Sequence, residues 1–347
     1  MVIGTGLVGA SVGCALTRLG VVVHLADAVP SHAVVAASRG AGTTAPPRPA
    51  DIRLVVVAVP PAALAGVIST ALRHFPNAVV TDVGSVKGSV LAELTADAEV
   101  DLTRYVGGHP MAGSQNAGPL TANAELFNER SWVVCPNPMS SPAAIDVVES
   151  LAREVGARVV QMSSAEHDEA VAKVSHLPQL MASLVGERLV EAPAEHLRLA
   201  GQGLRDVTRI AGSDPGLWRQ IVAGNADAVR VELRAIAQAL NEFVAVLDEP
   251  EAVERLVAAG RAGVRRLPGK HGLALASYAR VDVEIPDTPG ALAKLFAQID
   301  ASDINVEDLS IEHDDARQVG YLAVYVVPDR AGELAAAMSA AGWRLRP

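Results

Sequence analysis

The first part of the chain alternates short apolar runs with amphipathic stretches, the pattern of strands laid parallel and joined by helices. Val21 to Leu25, Leu54 to Val59, Ala78 to Asp82, Trp132 to Cys135 and Ala157 to Gln161 read as strands. Each ends in a turn or a polar residue, as expected where strand ends open onto a ligand crevice. From Ser163 to about Gly263 the β-branched runs cease. Helical-period segments take over, among them Asp168 to Leu189 and Leu217 to Leu247, and they predict an all-helical domain. Parts of the first segment are apolar nearly all round, which predicts a helix buried between subunits or domains, and hence a homodimer. Leu267 to Gly272 reads as a linker. Beyond it the pattern predicts a strand (Arg280 to Ile285), a helix (Ala291 to Ala301), strands at Asn305 to Glu312 and Val319 to Val327, a helix (Ala331 to Ala341) and a closing strand near Trp343. That βαββαβ order is the ferredoxin-like split arrangement. The expected architecture is α/β: a Rossmann-like dinucleotide-binding domain over 1–162, a helical domain over 163–266, a linker over 267–276 and the small domain over 277–347.

Composition narrows the partners. The chain has 347 residues, half of them apolar, with 20% charged and 3% aromatic. It is long enough for two to three domains at roughly 150 residues each, with a sizeable core. Lys and Arg number 29 against 39 Asp and Glu, a net charge of -10, which argues against nucleic acid as a partner. The longest apolar stretch, Leu54 to Ile68, is broken by Pro60 and Pro61 and is shorter than the ~20 residues of a membrane span. No secretory signal is visible, and Cys14 and Cys135 lie far apart without metal-ligand spacing, so reduced thiols in a cytoplasmic, metal-free protein are expected.

Gly4-Thr5-Gly6-Leu7-Val8-Gly9 fits G-x-G-x-x-G and leads into a helix. Gly4 would allow the tight turn, Gly6 the approach of backbone to a pyrophosphate, and Gly9 close packing of helix on strand. The helix N-terminus offers free N–H groups and a positive dipole end to the phosphates. Asp27, ending a Val-rich segment, is placed to accept from the ribose hydroxyls, which favours NAD over NADP because a carboxylate repels a 2′-phosphate. Arg39 is the nearest downstream basic residue. Only Met1, Val2 and Ile3 precede Gly4, short of a full first strand of ~5 residues, so further residues are expected ahead of Met1.

Further segments place glycine and polar residues where a packed core has no use for them. They are Thr81 to Lys87 (TDVGSVK), Gly107 to Ser114 (GGHPMAGS), Ser175 to Pro178 (SHLP), and Gly203 to Ala211 followed by Ser213-Asp214-Pro215 and Trp218. With the glycine fingerprint, they resemble the prephenate dehydrogenase family, which includes arogenate dehydrogenases, over residues 1 to about 270. The resemblance implies NAD-dependent oxidative decarboxylation of prephenate to 4-hydroxyphenylpyruvate in tyrosine biosynthesis. Hydride leaves ring C4 for the nicotinamide, a base takes the hydroxyl proton, and loss of the ring carboxylate restores aromaticity.

By this resemblance His109 is the base, for which a neutral imidazole with an ordinary pKa of ~6.5 is suited. Ser85 would bridge His109, the substrate hydroxyl and the nicotinamide. His176 would line the substrate pocket, Arg209 would grip a carboxylate with its planar fork, and Trp218 would form an apolar wall. Leu7, Val8 and Val59 complete the expected cofactor site. Gln115 stands where some members carry Glu, and Gln179 where a second histidine is common. Against these roles stand plainer ones: Arg209 pairing with Asp206 along a helix, Lys87 as a helix-start or phosphate-side charge, and His167-Asp168 as a helix-start and packing pair.

Asp287-Thr288-Pro289-Gly290 and the Asn305 region resemble the ACT domain, a regulatory module that binds amino acids at a βα loop. The resemblance implies Asp287, Pro289, Gly290 and Asn305 as a site for tyrosine or another aromatic amino acid. An ACT fold kept for dimerisation alone is the alternative. Three other readings compete: arogenate as substrate, a 3-hydroxyacid dehydrogenase, which would use a catalytic lysine, and a non-catalytic ACT sensor on a dehydrogenase-like body, which would have lost His109 or the glycines.

Overall fold

An uninterrupted apolar run such as Leu54–Val57 makes a stable strand only if both its faces are covered, and Val55, Val56 and Val57 are buried. The computed structural model describes residues 1–113, 118–267, 278–286, 288–314 and 319–346. Contacts gather the chain into two compact units, Met1–Glu242 and Phe243–Pro347.

The first unit opens with β1 (Val2–Ile3), α1 (Leu7–Arg18), β2 (Leu25–Ala26), α2 (Pro30–Ser38), β3 (Leu54–Val57), α3 (Leu64–His74), β4 (Val79–Asp82) and α4 (Gly88–Ala96). It continues with β5 (Tyr105–Pro110), β6 (Ser131–Pro136), α5 (Pro142–Glu154) and β7 (Arg158–Gln161). The strands form one sheet in the order β2-β1-β3-β4-β5-β6-β7. One face packs on α1, α2 and α5 through Val12, Ala36 and Val148, the other on α3 and α4 through Ile68, Leu72 and Leu94.

Two features differ from the sequence expectation. The strand expected at Val21 to Leu25 shrinks to Leu25–Ala26, because the Val21 amide turns back to the Leu16 carbonyl to close α1 and is lost to the ladder. Its neighbour Val22 is exposed. The sheet is also mixed rather than wholly parallel: β5 pairs antiparallel with β6, His109 opposite Val133. β5 is absent from the expected strands, since Gly107, Gly108 and His109 interrupt any apolar alternation. Gly108 has a packing reason, for a side chain there would meet the Asp82 carbonyl at 2.5 Å.

Helices follow: α6 (Ser164–Val171), α7 (Leu177–Glu187), α8 (Ala194–Leu197), α9 (Gln202–Thr208), α10 (Pro215–Gly224) and α11 (Ala226–Ala245), whose last turn passes into the second unit. The continuous segment expected from Asp168 to Leu189 is interrupted by a π-helical turn at Ala172–His176. Pro178 explains it, since its ring clashes with the carbonyl of Val174 and removes a donor, opening the ladder one turn earlier.

The second unit continues with α12 (Pro250–Val264), β8 (Ala279–Pro286), α13 (Ala291–Asp300), β9 (Asp308–Asp314), β10 (Val319–Val326) and α14 (Pro328–Ala340). Its strands form a small antiparallel sheet in the order β8-β10-β9, with Leu295, Leu322 and Leu334 at the core. The closing strand expected near Trp343 is only an isolated bridge from Leu345 to Val283. Among the described residues no helix is long and apolar enough to cross a membrane.

Candidate active site

Because β1, β3, β4 and β5 run parallel, their carboxyl ends lie along one edge of the sheet. The glycine turn follows β1, Val59 follows β3, Ser85 follows β4, and His109 stands near the end of β5. Topology thus brings four sequence-distant segments to one crevice, the position at which open α/β sheets take ligands.

The glycines divide their work as expected. Gly4 has φ +92°, and a side chain on it would meet the Ala58 carbonyl at 2.3 Å. A side chain on Gly9 would lie 2.0 Å from the Gly4 carbonyl oxygen, so α1 can rest on the turn only because Gly9 lacks one. Gly6, at the N-cap of α1, faces space with nothing within 4 Å of an added Cβ. It leaves a cradle of the kind a pyrophosphate fills, and Leu7 and Val8 continue it as the first turn of α1.

Asp27 does more than wait for a ribose. Its Oδ2 accepts from the Thr5 amide at 2.6 Å and the Thr5 hydroxyl at 2.9 Å, while Oδ1 accepts from the Val29 amide at 2.9 Å. Burial pushes the carboxyl up, but these amides, the hydroxyl and nearby His32 outweigh it, holding Asp27 below the ordinary carboxylate range. It therefore stays anionic and ties β2 to the glycine turn.

His109 is buried on β5, and its Nδ1 lies 2.8 Å from Nε2 of His167 on α6. Nδ1 of His167 lies 2.8 Å from Oδ1 of Asp168, whose two oxygens also accept the amides of Lys87 (3.0 Å) and Gly88 (2.8 Å) at the start of α4. The expectation that His167-Asp168 merely starts a helix and packs is corrected: α6 carries His167 into direct contact with His109, with Asp168 behind it on the far ring nitrogen. Burial first, then repulsion of a second positive charge by His167 when protonated, by the Lys87 ammonium and by His176 when protonated, pushes the His109 ring well below its ordinary 6.5. The ring is neutral at pH 7.

Ser85 is half-buried on the turn after β4, and among the described residues no hydrogen bond joins it directly to His109, whose Nδ1 faces His167. Lys87 also departs from expectation. It stands at the N-cap of α4, but its ammonium turns inward to Asp82 at full burial instead of facing a phosphate. Asp82 further accepts from the Gly84 amide and the Tyr105 hydroxyl, both at 2.8 Å, which fastens the turn carrying Ser85.

His176 closes the π-helical turn, buried, with its ring centroid 5.9 Å from that of Trp218, edge to face. Burial lowers its pKa from 6.5 to about 4, against the opposing pull of Asp168. Gln179, one turn on, donates to the Ile210 carbonyl at 2.9 Å and accepts from the Ser213 hydroxyl at 3.2 Å. Here glutamine fastens the turn that begins with Arg209. Arg209 itself is exposed. Asp206, its proposed helical partner, accepts from Gln202 at 2.7 Å. Gln115 lies outside the described residues.

In the second unit Gly290 takes the left-handed conformation at the N-cap of α13. Asn305 donates to Glu307 at 2.6 Å, so its amide is engaged beside β9. Asp287 lies outside the described residues. Sequence reasoning gave no role to Asp82, although it lies inside the TDVGSVK segment, and missed Tyr105 and Asn225, which carry no motif signal of their own.

Comparison with known proteins gives the crevice its context. Residues 12–161 match the model of the prephenate dehydrogenase nucleotide-binding domain, and residues 163–259 that of the prephenate dehydrogenase dimerization domain. The chain belongs to the prephenate dehydrogenase family. A relative described as the probable prephenate dehydrogenase NovF of Streptomyces niveus is 35% identical over 324 residues, 90% of this chain and 89% of that one. Among solved structures, prephenate dehydrogenase of A. aeolicus, in complex with hydroxyphenyl propionate and NAD+, is similar with a TM-score of 0.67 at 27% identity, covering 76% of this chain and 96% of that one. Synechocystis arogenate dehydrogenase is similar with a TM-score of 0.65 at 25% identity, covering 77% of this chain and 99% of that one. The two family matches take in β2 to β7 of the crevice-bearing sheet and the helices that supply His167, Asp168 and His176.

Proposed function

We propose that the protein is a prephenate dehydrogenase that converts prephenate and NAD+ to 4-hydroxyphenylpyruvate, CO2 and NADH. The observation that supports this best is His109: a buried, neutral imidazole at the crevice edge, with one nitrogen held by His167. Such a group can accept a hydroxyl proton at pH 7. NAD+, when bound, supplies the acceptor for the hydride leaving ring C4. Gly6 and the first amides of α1 would hold the pyrophosphate, with Leu7, Val8 and Val59 beside it. Oδ1 of Asp27 keeps a lone pair for a ribose hydroxyl and disfavours the 2′-phosphate of NADP.

The proton account closes on one oxygen. As the C4–H bond breaks, the C4–OH proton passes to His109 and C4=O forms. The C1–CO2 bond then breaks, its electron pair completes the aromatic ring, and the resulting phenolate oxygen takes the proton back. His109 thus acts as base and then acid, with no net proton released. In our reading the half-buried hydroxyl of Ser85 orients the substrate oxygen, His176 donates to an acceptor on the substrate, Arg209 and Gln115 meet its polar end, and Trp218 covers its ring.

We read the chain as a dinucleotide domain over 1–162, a helical domain over 163–266, a linker over 267–276 and an ACT-like module over 277–347. The module's element order and the Gly290 turn support an aromatic amino acid such as tyrosine as effector. A homodimer through the helical domain is supported by its exposed apolar stripe Ile236, Leu240 and Val244. The free, buried Cys14 and Cys135 suit the cytoplasm.

The test is formation of reduced nicotinamide, NADH or NADPH, with prephenate and with arogenate, each offered with NAD+ and with NADP+. Turnover of prephenate with NAD+ is the expected result. Turnover of arogenate alone would reassign the substrate, and silence in all four pairs would sink the enzyme reading. Tyrosine titrated into the same assay tests the effector, for which unchanged activity and no binding would be fatal.

A further inference from the structure

The hydrogen bonds around Asp168 have a direction that can be followed to the reacting nitrogen. The amides of Lys87 and Gly88 can only donate, so both carboxylate oxygens of Asp168 are acceptors. Burial raises this carboxyl, but the His167 hydrogen bond and the two amides outweigh it, so Asp168 stays ionised. The N-terminus of α4 adds its positive dipole end. An anionic carboxylate requires a donor at the 2.8 Å contact, and that donor is Nδ1–H of His167. In its neutral form the fully buried His167 ring carries one N–H only, so with Nδ1–H turned to Asp168 its Nε2 is a bare acceptor. At 2.8 Å from it stands Nδ1 of His109, which must therefore carry the proton of its own ring.

We propose that His167 and Asp168 are positioning residues for the base: Asp168 sets the tautomer of His167, and His167 sets that of His109, leaving Nε2 of His109 as its free lone pair. The same chain receives charge during turnover. When His109 gains the substrate proton at Nε2, its Nδ1–H strengthens its bond to His167, and the Asp168 carboxylate stabilises the positive charge at one remove. Buried ligating or catalytic histidines are commonly oriented through their second nitrogen, and here the orienting partner is another histidine. The inference rests on His109 being the base, but the tautomer order is a property of the free protein.

The first measurement is the nitrogen-15 spectrum of histidine-labelled protein without substrate, with rings assigned by single His→Gln variants. The expected result is Nδ1–H with bare Nε2 on both His109 and His167. A proton on Nε2 of His109 overturns the proposal whatever the protein oxidises, whereas failure to oxidise prephenate leaves this result standing.

The second measurement compares His167→Gln with His167→Leu. The Gln amide can donate to Asp168 through N–H and accept from His109 through its oxygen, and Leu can do neither. Leu should lower kcat by about 10²-fold or more with KM for both substrates within about threefold, and Gln should recover most of that loss. Equal losses in the two, or a Leu variant within about threefold of the parent in kcat, would reject the proposal. Should the Leu variant not fold, the spectrum of the parent still decides.

Discussion

Asn225 fixes which nitrogen His176 presents to the crevice. Its Nδ2 donates to the main-chain carbonyl of Asp168 at 2.7 Å and lies 3.3 Å from Nδ1 of His176. A carbonyl only accepts, so the side-chain amide cannot be turned the other way, and its second hydrogen points at the ring. Nδ1 of His176 is then the acceptor and Nε2 carries the proton. His176 is then a neutral ring with Nε2–H as its donor, the group that the proposed function turns toward the substrate, in the opposite tautomer to that proposed for His109.

Asn225→Ala should release that tautomer. Loss of one donor to substrate corresponds to about 1 kcal/mol, so KM for prephenate is expected to rise roughly five- to tenfold with kcat within about threefold. Steady-state kinetics at saturating NAD+ provides the check, and a fall confined to kcat would contradict the assignment.

Both active-site histidines are pushed toward the neutral form, His109 well below 6.5 and His176 to about 4. A base must be deprotonated to act, so kcat/KM should stay flat as pH falls from 8 to about 6 and decline only below that. Stability follows the same sign. The unfolded chain binds a proton at each of these histidines near 6.5 and the folded chain does not, so stability is full above 6.5 and falls as pH drops from there toward 4. A pH–rate profile and urea unfolding at several pH values test the two statements, and an acid limb centred on 6.5 would mean that His109 is solvated.

Gly6 and Gly9 should respond differently to one methyl group. Gly6→Ala meets no protein atom within 4 Å, so thermal stability should hold while KM for NAD+ rises by about tenfold, near 1.4 kcal/mol. Gly9→Ala drives a methyl into the Gly4 carbonyl and should destabilise the fold by about 1–3 kcal/mol or more. Thermal melts beside NAD+ titrations separate them, and equal behaviour of the two variants would count against the cradle.

Lys87 and Asp82 form a buried ion pair with Tyr105 and Gly84 as further donors to the carboxylate. Lys87→Met leaves Asp82 with an uncompensated charge and should cost about 3–5 kcal/mol. The double variant Lys87→Met/Asp82→Asn should be less destabilised than Lys87→Met alone, since the lone charge has gone. Urea titration reads both, and additive losses would show that the pair is not coupled.

The sequence by itself determined the alternation of strands and helices, the dinucleotide motif and the family. These signals are local: three glycines at fixed spacing, a carboxylate after a strand, and histidines in short motifs need no knowledge of distant residues. It also marked His109, His176 and Arg209 individually. It misjudged Val21 to Leu25, where closing a helix claimed the amide that a strand needed, and it did not show that β5 is a strand.

Tertiary structure alone decided how the marked residues work together. Parallel strand pairing puts the ends of β1, β4 and β5 on one edge, and α6 then lays His167 and Asp168 against them from more than fifty positions away. A histidine beside an aspartate reads as a helix start until its unspent hydrogen-bonding atoms meet those of another element. Direction in a buried polar chain comes from which neighbour can only donate and which can only accept. For this protein, those neighbours are set by the fold rather than by adjacency in the chain.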